Sequence, residues 1–208
     1  MKKILLIISV IMILALSVSC TEVAFIDMDG DWPSYRSTEE LLEKADYVFV
    51  AEIADIAFSV LDVGTGTSPT EETEWKQLYT LYKVDIKTTY KGDTSNIEYF
   101  KVMGGLKGYK AEEQLRIAKE GESNWWQEGI FVWAGYNGFA VGEEYLLVLC
   151  KGTSGRSPYP VIINPWETGY CLSNKTLQVS TTPNNITAED IVKTFGEDKL
   201  AEFTAKYR

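Results

Sequence analysis

The stretch 78–90 reads LYTLYKVDIKTTY, with Tyr82, Val84 and Ile86 alternating against Lys83, Asp85 and Lys87. A two-residue period puts successive side chains on opposite faces, so this segment specifies a strand with one buried and one wet face. Lys91-Gly92-Asp93 supplies a turn, and 96–103 returns with Phe100 and Val102 facing inward, which predicts a hairpin. Upstream, 46–61 (DYVFVAEIADIAFSVL) is rich in β-branched and aromatic residues, as one long strand or two joined by a bulge. Downstream, 144–150 (EYLLVLC) is apolar on both faces and reads as a central strand. Shorter strands are expected at 159–163, 168–173 and 176–180.

Helical signals flank this β-rich middle. Ser37 and Glu40 form a capping signature before Leu41, Leu42 and Ala45, which predicts a short helix over 38–45. A second short helix is expected at 111–119. At the end, Thr187 caps a turn carrying Ile191, Val192 and Phe195, Gly196 breaks it, and Leu200, Phe203 and Tyr207 continue on a last helix. Residues 64–74 are polar and read as a loop, and 125–141 as a long aromatic, glycine-rich excursion. The expected class is α+β, mainly β: a five- or six-stranded antiparallel, partly open barrel with a short N-terminal helix and C-terminal helices.

The first residues carry a different message. Lys2 and Lys3 precede an apolar run over 4–16, then the small residues Ser17-Val18-Ser19 and Cys20. Residues 4–19 as a helix would reach roughly 24 Å, short of a bilayer core of roughly 30 Å, so 1–19 reads as a signal peptide rather than a span. Bacterial lipoprotein signals resemble this stretch, and there the cysteine after the small residues is acylated. On that reading Cys20 anchors the protein to the bacterial cell membrane, with the bilayer as its first partner. Ser17 and Ser19 also suit ordinary secretory cleavage, which leaves secretion as the alternative. Residues 20–36 then read as lipidated cysteine and tether, and 37–208 as one domain.

Charge and missing residue types exclude several chemistries. Removing Lys2 and Lys3 with the signal takes the 20 basic side chains to 18 against 30 acidic ones, a net charge near −12. That disfavours nucleic acid, which needs a basic face. The chain has no histidine, which removes His-based nucleophile arrangements and most transition-metal sites. Carboxylate chemistry and a Ser–Lys pair remain open, with no motif for either. Asp27, Asp29 and Asp31 alternate as calcium ligands can, although Gly30 and Thr38 do not fit a calcium-loop pattern. An acidic tether is the competing account. Cys150 and Cys171 form a candidate disulfide in an oxidising compartment or stay as two packed thiols. Glu143, Glu144, Glu112, Glu113, Glu120 and Glu122 are candidate acid–base carboxylates, with a solvated face as the alternative. Trp125, Trp126, Trp133, Tyr136 and Phe139 are candidate ligand-stacking aromatics, or else core filling.

The order of segments ADYVFVAEI, LYTLYKVDIKTTYKGD, IEYFKVMGG, VGEEYLLVL and YPVIINPWETGYCLSNKTLQV resembles a group of secreted proteins and lipoproteins of Gram-positive bacteria. The resemblance covers roughly 38–180 and is most specific in the YKGD, GG and GEEYLLVL pieces. It implies a small, partly open barrel of the oligonucleotide/oligosaccharide-binding type, related in shape to netrin-like inhibitor modules. It carries no functional residues. The expected function is a non-catalytic, extracytoplasmic binding domain without cofactors, whose ligand is an unknown protein or glycan met by the 125–139 aromatics. An extracellular protease inhibitor, by fold analogy, and a carboxylate-dependent hydrolase are the alternatives.

Overall fold

The computed structural model describes residues 23–152, 156–165, 168–172 and 186–207. The expected signal segment, Cys20 and the expected strand at 176–180 lie outside the described residues. The order of elements is β1 (Phe25–Met28), α1 (Thr38–Lys44), β2 (Tyr47–Asp62), β3 (Lys76–Lys91), β4 (Tyr99–Met103), α2 (Ala111–Glu120), β5 (Ile130–Trp133), β6 (Glu144–Cys150), β7 (Val161–Ile162), β8 (Gly169–Cys171), α3 (Ala188–Lys193) and α4 (Glu197–Tyr207). The fold is α+β and mainly sheet.

Six strands hydrogen-bond in the order β2-β3-β4-β7-β6-β8, and β2 also pairs with β6, so β2, β3, β4, β7 and β6 close a ring. The sheet is mixed rather than wholly antiparallel, because the short β7 runs parallel to β4 through Lys101 and Val161 while running antiparallel to β6. The 46–61 stretch forms one strand. It stays continuous along β3 by absorbing register shifts between Val48 and Phe49, Val50 and Ala51, and Ile53 and Asp55. Such bulges bend a strand and sharpen its twist, which lets β2 pair with β3 and β6 at once.

Strand period divides β2 between two cores. Phe49, Ala51 and Ile53 face the ring interior with Tyr82, Phe100, Leu147 and Leu149. Val48 and Val50 face outward with Leu146 and Val148, where Leu41 of α1, Ile191 and Val192 of α3 and Phe203 of α4 cover them. Inside the ring, Tyr82 stacks on Phe100 with ring centroids 5.0 Å apart, and Phe139 meets Tyr82 edge-on at 5.1 Å.

Residues 25–28 do not behave as tether. They form β1, which pairs in parallel with β5 from Phe25–Ile130 to Met28–Trp133. This pairing lays residues 30–35 across the outside of the ring, where Tyr35 is buried.

Cys150 and Cys171 are free thiols. Cys171 lies opposite Tyr145 on β6, five residues from Cys150. At about 3.3 Å per residue they stand roughly 16 Å apart along the strand, beyond the roughly 7 Å limit for a disulfide. No helix among the described residues is long and apolar enough to cross a membrane.

Candidate functional site

A cavity of about 720 Å³ opens between the 30–35 strap and the ring wall. The strap contributes Trp32, and β5 contributes Trp133. Tyr79 comes from β3, Lys101, Val102 and Met103 from β4, and Ile162 from β7. The two indoles meet edge-on with centroids 4.9 Å apart. Trp133 is held in place because its Nε1 donates to the Met103 carbonyl at 2.7 Å. Gly30 allows the strap to pass, since a Cβ there would come within 2.8 Å of the Trp133 ring.

Lys101 is the unusual member of this wall. Alternation along β4 puts Phe100 and Val102 in the ring interior and should turn Lys101 to water. Instead its outward face is roofed by the 64–66 and 157–159 loops, and the residue is only 4% exposed. The ammonium donates to Ser157 Oγ at 2.9 Å and to the Gly66 carbonyl at 3.3 Å. It also sits 5.1 Å from the centre of the Tyr79 ring. Loss of hydration disfavours its charged form and lowers its pKa from the usual lysine range to about 8. The same burial, with Asp62 nearby, pushes Tyr79 up to about 12.

Asp62 builds the roof over the lysine. Its Oδ1 accepts from Thr65 N at 2.9 Å and its Oδ2 from Thr73 Oγ1 at 3.0 Å, and these bonds lower the carboxyl pKa. The loop so clipped presents the carbonyl of Gly66, whose φ of +70° favours glycine. A Cβ at Gly66 would also collide with Lys101 Nζ.

Ser157 and Lys101 stand at the spacing of a Ser–Lys nucleophile pair. Ser157 Oγ accepts from Tyr159 N at 3.1 Å as well as from the lysine, and it lies within donating distance of the Gly66 and Tyr159 carbonyls. Lys101 Nζ bridges Ser157 Oγ and the Gly66 carbonyl, so the arrangement ties the 64–66 and 157–159 loops together.

The aromatics expected to act together are separated. Trp133 lines the cavity. Tyr136 is buried, 7% exposed, with its hydroxyl donating to Tyr82 at 3.1 Å, and Phe139 is core. Trp126 is half-buried under Lys119, 5.6 Å from ring centre to Nζ. Trp125 is 44% exposed and packs on Trp75, itself 53% exposed, at 5.2 Å.

No known family model matches the chain. No curated protein matches it.

The carboxylate candidates also disperse. Asp27 pairs with Lys107 at 3.3 Å, and no three acidic or thiol ligands converge among the described residues. Glu113 reaches Lys110, Glu120 reaches Arg116, Glu122 reaches Lys76 and Glu144 reaches Lys206. None of the six glutamates named from sequence lines the cavity.

Of the expected ligand-stacking aromatics, then, only Trp133 lines the cavity, and of the three calcium candidates only Asp31 does. Sequence reasoning missed Trp32, assigned to a tether, and Lys101, which it did not single out. The clue within reach was the number of apolar residues between 23 and 35, Val23, Phe25, Ile26, Met28, Trp32 and Tyr35, too many for a solvated tether.

Proposed function

We propose that this protein is a lipid-anchored, extracytoplasmic, non-catalytic binding module that holds a small, largely apolar ligand in the cavity between the strap and the ring. The ring of five strands supports reading the fold as a small, partly open barrel of the oligonucleotide/oligosaccharide-binding type, with the sheet's one parallel junction at β7. Cys20 supplies the anchor and the bilayer is the first partner.

The cavity itself carries the reading. It is of the size that encloses small molecules, and apolar and aromatic side chains supply most of its surface, with Asp31, Glu40, Lys44, Lys101 and Ser157 among its polar members. Preformed sites of this composition bind by removing apolar surface from water while a few polar atoms orient the ligand. Of the 125–139 aromatics, Trp133 takes part and the others serve packing or the outer surface.

The neutral dye N-phenyl-1-naphthylamine, fluorescent when removed from water, tests this. It is expected to bind the exported protein carrying Cys20→Ser, and Trp32→Ala is expected to weaken it about tenfold with little change in melting temperature. Trp32 is only half-buried, so its loss removes a wall and not a core. No saturable fluorescence in the folded protein would sink the proposal.

A further inference from the structure

We infer that the cavity takes a monoanionic amphiphile: a carboxylate whose head group meets the Lys101 ammonium and whose apolar body lies against Tyr79, Trp32 and Trp133. This rests on the cavity being a ligand seat and names the chemistry of the ligand.

The argument begins with a charge that lacks its counterpart. Lys101 is buried and contacts a carbonyl, a hydroxyl and a ring face. No ion pair to it occurs among the described residues, although other lysines of the fold find carboxylates. Burying an ammonium away from opposite charge is costly, and a methionine would fill the same space without that cost. An ammonium has three donors, and the two oxygen contacts account for two of them. Lys101 also lines the cavity, so an anion seated there would supply the missing partner.

Ligand charge follows from counting. One ammonium balances one negative charge, and a dianion such as a phosphate monoester would leave a second charge in the same poorly hydrated space. Besides Lys101 the lining carries Lys44 against Asp31 and Glu40, a sum of one negative charge, which opposes a second negative charge on the ligand. Shape and lining set the rest. Met103, Val161 and Ile163 add apolar surface to the same lining, so the body should be hydrocarbon or aromatic.

The experiment displaces bound N-phenyl-1-naphthylamine with octanoate, octan-1-ol or octylammonium, using the exported protein carrying Cys20→Ser, with and without Lys101→Met. The three competitors share one chain and differ in head-group charge. Wild type is expected to rank octanoate ahead of octan-1-ol, with octylammonium last. In Lys101→Met the octanoate-to-octanol ratio should fall at least about tenfold, the scale of a lost charged hydrogen bond. The dye's affinity is measured separately for each protein, so that the ratio is independent of any change in dye binding. If the dye binds but octanoate ranks no better than octan-1-ol in wild type, the inference is overturned while the ligand seat survives, and that result needs no variant. An unchanged ratio in a folded Lys101→Met protein overturns it equally. Failure of the dye to bind removes both the seat and the inference.

Discussion

At about pH 7 the Lys101 side chain must hold its proton where a charge is poorly solvated, and this sets a pH signature. Its folded pKa, about 8, is below that of an unfolded lysine, roughly 10.4. Between these values the unfolded chain binds the extra proton, so stability rises with pH across the window. Burial of Tyr79 and Cys150 acts the other way at high pH, because each keeps its proton longer in the fold. The comparison must therefore be made against Lys101→Met. Denaturant melts should show wild type gaining up to about 2 kcal/mol on the variant between about pH 7 and about pH 9.5. Equal slopes would mean that Lys101 is well solvated.

Gln114 is the opposite kind of buried polar residue, one whose bonds are complete. It is 0% exposed, its Nε2 donates to the Leu106 carbonyl at 2.8 Å and to the Tyr109 carbonyl, and its Oε1 accepts from Leu106 N at 2.9 Å. Lys110 starts α2 with a left-handed backbone and no side-chain cap, so Gln114 fixes the path into the helix. Gln114→Leu strands three backbone groups and should cost about 2–4 kcal/mol, measurable by chemical denaturation. A loss under about 1 kcal/mol would show that water replaces the amide.

Among the elements, α3 shows how a short helix persists. Six residues are too few to be helical alone in water. Thr187 and Asp190 form a reciprocal capping box, and Ile191 and Val192 are buried on the outer face of β2 and β6. Packing outweighs capping: Ile191→Ala should cost about 2–5 kcal/mol and Thr187→Ala only about 1 kcal/mol. Paired equilibrium melts would test that order, and a reversed order would mean that the helix is held by its end rather than its face. These helix signals were readable because they are local. So were β2, β3, β4 and β6, whose side-chain period reports burial directly. In contrast, β1 has four residues without clean alternation, and its partner β5 lies about a hundred positions away. The strand expected at 159–163 shortens to the two residues of β7, and its parallel pairing with β4 has no local signal. The cavity inherits both difficulties, since its walls come from the strap that β1 positions and from loops that meet over Lys101. A lysine in an alternating strand is read as wet, and only contacts far away in sequence reverse that.

At the scale of the molecule, charge is the dominant feature. A chain with a formal net charge of −10 repels itself, and the ion pairs among the described residues are largely exposed, as in Arg116–Glu120 and Lys107–Asp27. Exposed pairs contribute little, and salt weakens them further. Screening of the net charge should therefore win, and melting temperature should rise by a few degrees as sodium chloride increases from about 0.01 M to about 0.15 M. The same acidity offers a sharper comparison with calcium. Asp27 is engaged by Lys107, and no cluster of three acidic ligands exists among the described residues, so calcium should act only through ionic strength. Melts in calcium chloride and sodium chloride at matched ionic strength should then coincide apart from a small valence effect. A calcium-specific rise that saturates at millimolar concentration would show that Asp27, Asp29 and Asp31 can gather around a cation once the Lys107 pair is broken. Lys107→Ala separates the two accounts, because releasing Asp27 should strengthen a real calcium site and leave simple screening unchanged.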